Sequence, residues 1–127
     1  MPEVEIRFFK EDNGSAPCYE WLQSLSEKEQ DRCQAALERL EEYGRDLRRP
    51  HTENLGNGIW ELRMRIGNLR YRILYFFHGR KAVVLSHGIT KKSGVIPPAE
   101  IERAKWRKER FEKDPEGRTW GVPSQLE

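Results

Sequence analysis

The strongest regularity in the chain is an alternation of apolar and charged residues in its middle. From 60 to 66 every even position is apolar and every odd position is charged, and from 69 to 75 every odd position is apolar. A period of two is typical of strands with one buried face. The intervening Gly67-Asn68 is a two-residue turn that begins with Gly, which favours a type II′ hairpin. The pattern therefore predicts two antiparallel strands.

The predicted hairpin gathers four arginines on one face. Its register sets Arg63 opposite Arg72 and Arg65 opposite Arg70. Like charges directly opposite each other destabilise a sheet, by about 0.2–1 kcal/mol for a cross-strand pair. Arginine suits phosphate because its planar fork donates two parallel hydrogen bonds and keeps its charge at any working pH. The face indicates a phosphate or nucleic-acid surface; solvated arginines, or arginines paired with helix carboxylates, are the alternative.

Local patterns predict the elements before the hairpin. Alternation predicts a first strand at about Glu3–Phe9, and helical periodicity predicts a short helix after it. Ser26 with Glu29 three positions later is a capping box for a second helix, which ends near Gly44. The two helices are expected to pack as a hairpin on one face of the sheet. Residues 45–58 are expected to form an irregular linker.

The chain after the hairpin predicts one more strand and one more helix. His78-Gly79 is the expected turn before a strand at about Arg80–Ile89, and Pro97-Pro98 opens the helix. Because a two-residue turn keeps parity, the side chains expected on the arginine face are Val83, Leu85 and His87. Those expected on the helix-covered face are Ala82, Val84 and Ser86. The last helix is expected to bury Ile101, Ala104, Lys108 and Phe111 and to expose Arg103, Trp106, Arg107 and Arg110.

Together these elements predict an α+β fold. The expected architecture is a small antiparallel sheet of about four strands with an N-terminal strand, a helical hairpin on one face and a C-terminal helix. At 127 residues the chain is expected to form one domain over residues 1–113. Residues 114–127 are expected to form a polar, flexible tail.

Charge is distributed unevenly along the chain, although the net charge is only +2. Residues 1–57 carry eight Lys or Arg and thirteen Asp or Glu, whereas residues 58–92 carry eight and one. A basic strand half points to a polyanionic partner. The additional residues expected to contact it are Arg70, Lys91, the linker residues Arg48 and Arg49, and Trp106. His51 in the same linker is expected to help steer a polyanion, and a solvated charged loop is the alternative for these linker residues. Trp106 could instead cap the core or contact a partner protein.

The cysteines and carboxylates exclude several classes of site. Cys18 and Cys33 fall at apolar helical positions without nearby histidines, so we expect reduced core cysteines rather than a zinc site or a disulfide. Asp and Glu are nearly absent from the basic half, which argues against magnesium. The sequence has neither a long apolar run nor a signal-peptide pattern. We expect a cytoplasmic protein with no metal, no cofactor and no membrane partner.

Three stretches resemble the HigB-like, phage-derived branch of the RelE/ParE toxin superfamily. They are Glu-Leu-Arg at 61–63, Tyr-Arg-Ile-Leu-Tyr at 71–75 and His-Gly-x-x-Lys-Lys at 87–92. The resemblance covers about Val4 to Phe111. It implies a toxin of a type II toxin–antitoxin system, an endoribonuclease that cuts messenger RNA, typically on the ribosome. It also implies a neutralising antitoxin, for which we expect a helix-turn-helix protein.

The resemblance implies that four basic residues act on the scissile phosphate: Arg63, Arg65, Arg72 and Lys92. Metal-free cleavage also needs a group that accepts the 2′-hydroxyl proton, and arginine effectively cannot. On the expected arginine face His87 is the residue type that titrates near neutrality. We therefore expect His87 to transfer the proton, unless it is a strand-end histidine bonded to a loop carbonyl. Glu61 is expected to orient Arg63 or Arg72.

Two other functions fit the same pattern. ParE-like toxins share the fold but act on DNA gyrase without RNA chemistry. A non-catalytic RNA-binding protein would also use a surface whose charged groups are all arginines. Translation arrest with cleaved messages indicates the nuclease, replication arrest indicates the gyrase toxin, and unimpeded growth indicates the non-catalytic protein.

Overall fold

The computed structural model describes residues 2–91 and 94–121. These residues contain five strands and three α-helices. In chain order they are β1 (Glu5–Phe8), α1 (Pro17–Gln23), α2 (Glu27–Tyr43), β2 (Thr52–Gly56), β3 (Ile59–Ile66), β4 (Leu69–His78), β5 (Ala82–Lys91) and α3 (Pro98–Lys113). The strands form one sheet in the order β1-β5-β4-β3-β2, with β1 parallel to β5 and the other neighbours antiparallel. The predicted α+β architecture is confirmed. None of the described helices is both long and apolar enough to cross a membrane.

The predicted register of the β3–β4 hairpin is confirmed. Arg63 pairs with Arg72 and Arg65 pairs with Arg70. Gly67 has a φ of 59°, the left-handed conformation that the first turn residue of a type II′ turn requires. A short local signal therefore fixes which side chains face each other across the two strands.

Apolar side chains bury both faces of the sheet. On one face Met64 and Tyr71 pack beneath α1 and α2, where the predicted Ser26–Glu29 capping box starts α2. On the other face α3 packs on a second cluster, whose sheet members are Phe9, Ile59, Leu74, Phe76, Val84 and Ile89. Ile59, Leu74 and Phe76 of this cluster lie at the opposite end of the β3–β4 hairpin from Arg65 and Arg70, which are next to the turn.

A fifth strand, β2, lies where an irregular linker was expected. Thr52 pairs with Leu62 of β3. The Thr52 hydroxyl donates to the carbonyl oxygen of Glu61 at 2.8 Å and lies 2.6 Å from the Tyr75 hydroxyl. The segment Thr-Glu-Asn-Leu-Gly does not alternate, so its partner β3, rather than its own pattern, makes it a strand.

The β4–β5 loop has three residues instead of the expected two. His78 pairs with Ala82, which leaves residues 79–81 in the loop. One extra residue reverses the parity of the following strand. Val83 and Leu85 therefore lie in the core beneath α1 and α2 and not on the arginine face, which corrects the sequence-based assignment.

A β-bulge then restores the parity. The register shifts by one residue between Leu74 and Tyr75, and Ser86 is the extra residue on β5. His87 consequently returns to the face that carries the arginines. It stands opposite Leu74, however, and not opposite Arg70 or Arg72 as expected.

A buried polar network joins β5 to α3. His87 Nδ1 lies 2.8 Å from Ser86 Oγ, and its Nε2 lies 2.9 Å from Glu100 Oε1. Arg107, which was expected on the exposed side of α3, is 7% exposed. Its guanidinium donates to the Glu11 carboxylate at 2.8 Å and to Ser86 Oγ at 3.3 Å. Arginine is tolerated inside because these partners satisfy its charge.

Residues 115–121, expected within the polar tail, fold back onto β1. Thr119 forms a bridge with Phe9, and the N–H of Trp120 donates to the carbonyl oxygen of Phe8 at 2.9 Å. The Trp120 ring stacks on Tyr19 with centroids 4.3 Å apart. Residues 119 and 120 therefore contact the end of β1, while the rest of the predicted tail, residues 122–127, lies outside the described residues.

We expect His87 to make the stability of the domain depend on pH. Burial lowers its pKa from 6.5 to about 4; Arg107 and Arg103 act in the same direction and Glu100 opposes them. Between these two pKa values the unfolded chain binds a proton at His87 that the folded domain does not bind. The stability contributed by the neutral, buried imidazole is therefore fully present above pH 6.5 and is lost as the pH falls towards 4. The stability advantage of wild type over a His87→Gln variant should narrow from about pH 7.5 to about pH 5. Thermal unfolding followed by circular dichroism measures it, and a constant difference would contradict the assignment.

Candidate functional site

Two rows of cations cross the open end of the sheet. Arg65 on β3, Arg70 on β4 and Lys91 on β5 occupy paired positions on three neighbouring strands. Arg63 and Arg72 form the adjacent row. Because paired residues project from the same face, the strands bring the predicted phosphate-binding arginines together.

Glu61 is the buried carboxylate among these arginines and is 4% exposed. Arg63 Nε donates to its Oε2 at 3.0 Å, and Arg72 Nε lies 3.3 Å from its Oε1. Glu53 on β2 approaches Arg63 at 3.8 Å. Glu61 therefore offsets the repulsion between two facing guanidinium groups and holds both in place.

Of the two arginines that pair with Glu61, Arg72 is the more enclosed, with a side chain 12% exposed against 36% for Arg63. Burial lowers its pKa; Glu61 opposes the shift, and Arg63 and Arg70 add to it. Its Nη1 donates to the carbonyl oxygen of Tyr71 at 3.0 Å. The ion pair and this hydrogen bond satisfy the guanidinium and fix its position beneath the more exposed arginines.

A cleft of about 630 Å³ opens over these side chains, and we call it the arginine cleft. It is lined by Arg32, Ala35, Ala36, Arg39, Pro50, His51, Arg63, Met64, Arg65, Arg70, Arg72 and Gly94. Six of these residues are arginines and none is Asp or Glu. Within residues 2–91 and 94–121, the only lining arginines in ion pairs with carboxylates are Arg63 and Arg72. The remaining positive charge is available to an anion.

Several sequence-predicted residues lie elsewhere. Arg48 donates to the carbonyl oxygen of Arg45 at 3.0 Å, Arg49 pairs with Glu53 at 2.7 Å, and Lys91 Nζ donates to the carbonyl oxygen of Val95. None of these three lines the cleft.

The other two residues that the structure separates from the cleft are Trp106 and His87. The Trp106 ring is 46% exposed and lies 4.5 Å from the Arg110 guanidinium. His87 is buried beneath α3 with both ring nitrogens bonded, so it does not face the arginines. Lys92 lies outside the described residues, and its role stays a prediction.

The structure adds two arginines and a histidine to the cleft. Arg32 and Arg39 lie on α2. They are not among the residues predicted from the sequence, because most charged residues of α2 are acidic. The spacing of Lys28, Arg32 and Arg39 places these cations on one side of the helix, which is a signal that the sequence does contain. His51, expected only to steer a polyanion, lines the cleft itself.

His51 is held by contacts of its backbone and its ring. Its carbonyl oxygen accepts the N–H of Arg63 at 2.9 Å. Its Nδ1 lies 3.3 Å from Arg39 Nη1. Because a guanidinium group can only donate, Nδ1 accepts and Nε2 carries the ring proton in this arrangement. The cleft thus combines fixed cations with one imidazole.

The donor set of the cleft is suited to an oxyanion. Guanidinium groups bind phosphate oxygens in pairs, and the lining residues offer no carboxylate that would repel a phosphodiester. Over the described part of the chain, no group of three or more His, Cys, Asp or Glu side chains could hold a metal ion. The described geometry is therefore suited to an anionic ligand.

The comparison with known families covers the whole cleft. The family model described as "Phage derived protein Gp49-like (DUF891)" matches residues 20–109, which include every lining residue from Arg32 to Gly94. No curated protein matches the chain significantly. The matched span is most of the chain, and the chain therefore belongs to the Gp49-like, phage-derived family, within the RelE/HigB-like toxins.

Proposed function

We propose that the chain is the toxin of a type II toxin–antitoxin pair and cleaves ribosome-bound messenger RNA without a metal ion. The observation that carries the proposal is the arginine cleft, where six guanidinium groups surround a cavity without a lining carboxylate. Such a cavity is complementary to a phosphodiester. Family membership supports the toxin assignment. The neutralising partner is a cognate antitoxin of the helix-turn-helix type.

The reaction starts with attack of a 2′-hydroxyl on the adjacent phosphorus. The bond from the 2′-oxygen to phosphorus forms while a base takes the hydroxyl proton, and the bond from phosphorus to the 5′-oxygen breaks. The leaving oxygen takes a proton from water. The products are a 2′,3′-cyclic phosphate and a 5′-hydroxyl end, which differ from the ends left by metal-assisted attack of water.

The arginines bind the phosphate and stabilise the charge that develops on it. Glu61 fixes Arg63 and Arg72, so these two donors need little reorganisation when the phosphorane forms. Arg65 and Arg70 have no carboxylate within ion-pair distance among the residues that the structure describes, and they are the more adaptable clamps. Lys92, two positions before the lining residue Gly94, remains a predicted phosphate ligand.

His51 is the group that we assign to proton transfer. His87 is not retained, because it lies outside the cleft with both nitrogens bonded. Among the described residues that line the cleft, His51 is the one histidine, and histidine is the residue type used most often for general acid–base catalysis. A bound phosphate competes for the Arg39 guanidinium, which frees Nδ1 to accept the 2′-hydroxyl proton.

We expect Arg65→Gln and Arg70→Gln each to slow cleavage by about 10- to 100-fold, the effect of losing a charge-assisted hydrogen bond of about 1.5–3 kcal/mol. These two residues are preferable to Arg63 and Arg72, because removing either of those would take away one of the two ion-pair partners of buried Glu61. The assay uses the full chain with programmed ribosomes, which keep the magnesium that ribosomes need, and with free RNA, to which a chelator is added. Arg80→Gln, on the exposed 79–81 loop, is the matched control.

The product ends and the cellular response decide between the candidate functions. Cyclic phosphate ends that persist in chelator, and that depend on Arg65 but not Arg80, support the proposal. Absence of cleavage of both RNA substrates by the wild type would overturn it. Replication arrest without message cleavage would instead indicate the gyrase-directed function.

We expect His51→Gln to lower the cleavage rate by about 10²–10⁴-fold, the usual contribution of a positioned proton-transfer group. Binding of an RNA with a 2′-deoxy nucleotide at the cleaved position should change little, since the arginines remain. His78→Gln is the control, because His78 packs against Phe111 with ring centroids 5.0 Å apart and does not line the cleft. An unchanged rate in His51→Gln excludes His51 as the base.

A further inference from the structure

The charges of α2 are segregated onto different sides of the helix. Lys28, Arg32, Ala35 and Arg39 follow one another at steps of four, three and four residues, which places them in one line along the helix surface. We call this line the α2 basic stripe. On another side, Glu38, Glu41 and Glu42 surround a separate depression together with Pro2. The acidic composition of the helix therefore does not extend to the stripe.

The α2 basic stripe borders two adjoining cavities. The arginine cleft is one of them. The second has a volume of about 560 Å³ and is lined by Lys28, Asp31, Arg32, Ala35, Arg65, Ile66 and Gly67. The two cavities share Arg32, Ala35 and Arg65. They form one continuous groove from His51 to the β3–β4 turn, with α2 as one wall and β3 as the other.

The cations of this groove are largely without acidic partners. No ion pair involves Lys28 or Arg32 within residues 2–91 and 94–121, and the side-chain contact of Arg39 is with His51. Asp31 is the one carboxylate that lines the second cavity. Uncompensated charge of one sign along a concave surface attracts an extended polyanion.

We propose that this groove binds the single-stranded RNA beside the scissile phosphate and that the α2 basic stripe contacts its backbone phosphates. The inference rests on the proposed nuclease function and adds the path of the substrate. Lys28 and Arg39 are separated by about 16 Å along the helix axis, which spans several nucleotides of extended strand. Ala35 and Ile66 interrupt the cations with apolar surface that bases can contact. Because the phosphate contacts read no base edges, this part of the binding is independent of sequence.

The test compares two double variants that remove the same charge. Lys28→Gln with Arg32→Gln removes two cations from the stripe, and Arg80→Gln with Lys81→Gln removes two from the exposed 79–81 loop. All four residues are exposed, and circular dichroism checks that both variants fold. Binding is measured over a range of salt concentrations with two single-stranded RNAs, of two and about eight nucleotides, that carry a 2′-deoxy nucleotide and cannot be cleaved.

We expect the stripe variant to bind the longer RNA at least about tenfold more weakly and to reduce its salt slope by about 1.4, since each lost phosphate contact accounts for about 0.7 on single strands. Binding of the dinucleotide should change less than about twofold, because it occupies only the scissile position. The loop variant should bind both RNAs like the wild type.

Three outcomes overturn the inference. They are equal losses for both RNAs, unchanged binding of the longer RNA, and a defect confined to binding of the antitoxin. Length-dependent RNA binding by a wild type that cleaves nothing would overturn the nuclease function while leaving the RNA path in place. A wild type that binds neither RNA overturns both.

Discussion

The ion pairs that Glu61 makes with Arg63 and Arg72 are the constraint on which the candidate site depends. Two arginines that face each other across neighbouring strands repel, and a buried carboxylate at 3.0 and 3.3 Å from their Nε atoms offsets the repulsion. The next pair, Arg65 and Arg70, has no such carboxylate within the described chain and lies nearer the hairpin turn, where solvent screens its charge. The sheet therefore fixes its inner arginines and leaves the outer ones for a ligand.

Local sequence signals predicted the features that a few consecutive residues control. Gly67 provides the positive φ of a two-residue turn, and that turn alone determines which arginines pair across β3 and β4. Ser26 and Glu29 satisfy each other's backbone N–H groups at the start of α2, so this helix start is also encoded locally. Four of the six cleft arginines, those on the hairpin, follow from these rules.

The errors arise where distant residues decide the outcome. The three-residue β4–β5 loop and the bulge at Ser86 reverse parity twice, so His87 lies on the expected face but one step away from the arginines. Ser86 is held by Arg107, 21 positions later, and no alternation pattern contains that contact. β2 is likewise a strand because it pairs with the edge of β3. The α2 arginines do not stand out in the net charge of the N-terminal half, which is acidic. A helix can carry acidic and basic residues on different sides, and a net charge does not separate them.

Different residue types in the cleft are suited to binding an anion and to transferring a proton. Guanidinium groups keep their charge at every working pH, so an arginine-only surface would bind RNA with nearly the same affinity from acid to neutral conditions and would have no group to take the 2′-hydroxyl proton. His51 changes this, because an imidazole both exchanges protons and accepts hydrogen bonds. Its backbone is bonded to Arg63 on β3 and its ring to Arg39 on α2, the two walls of the groove. The residue to which we assign proton transfer is therefore the one placed where the strand arginines and the helix arginines meet.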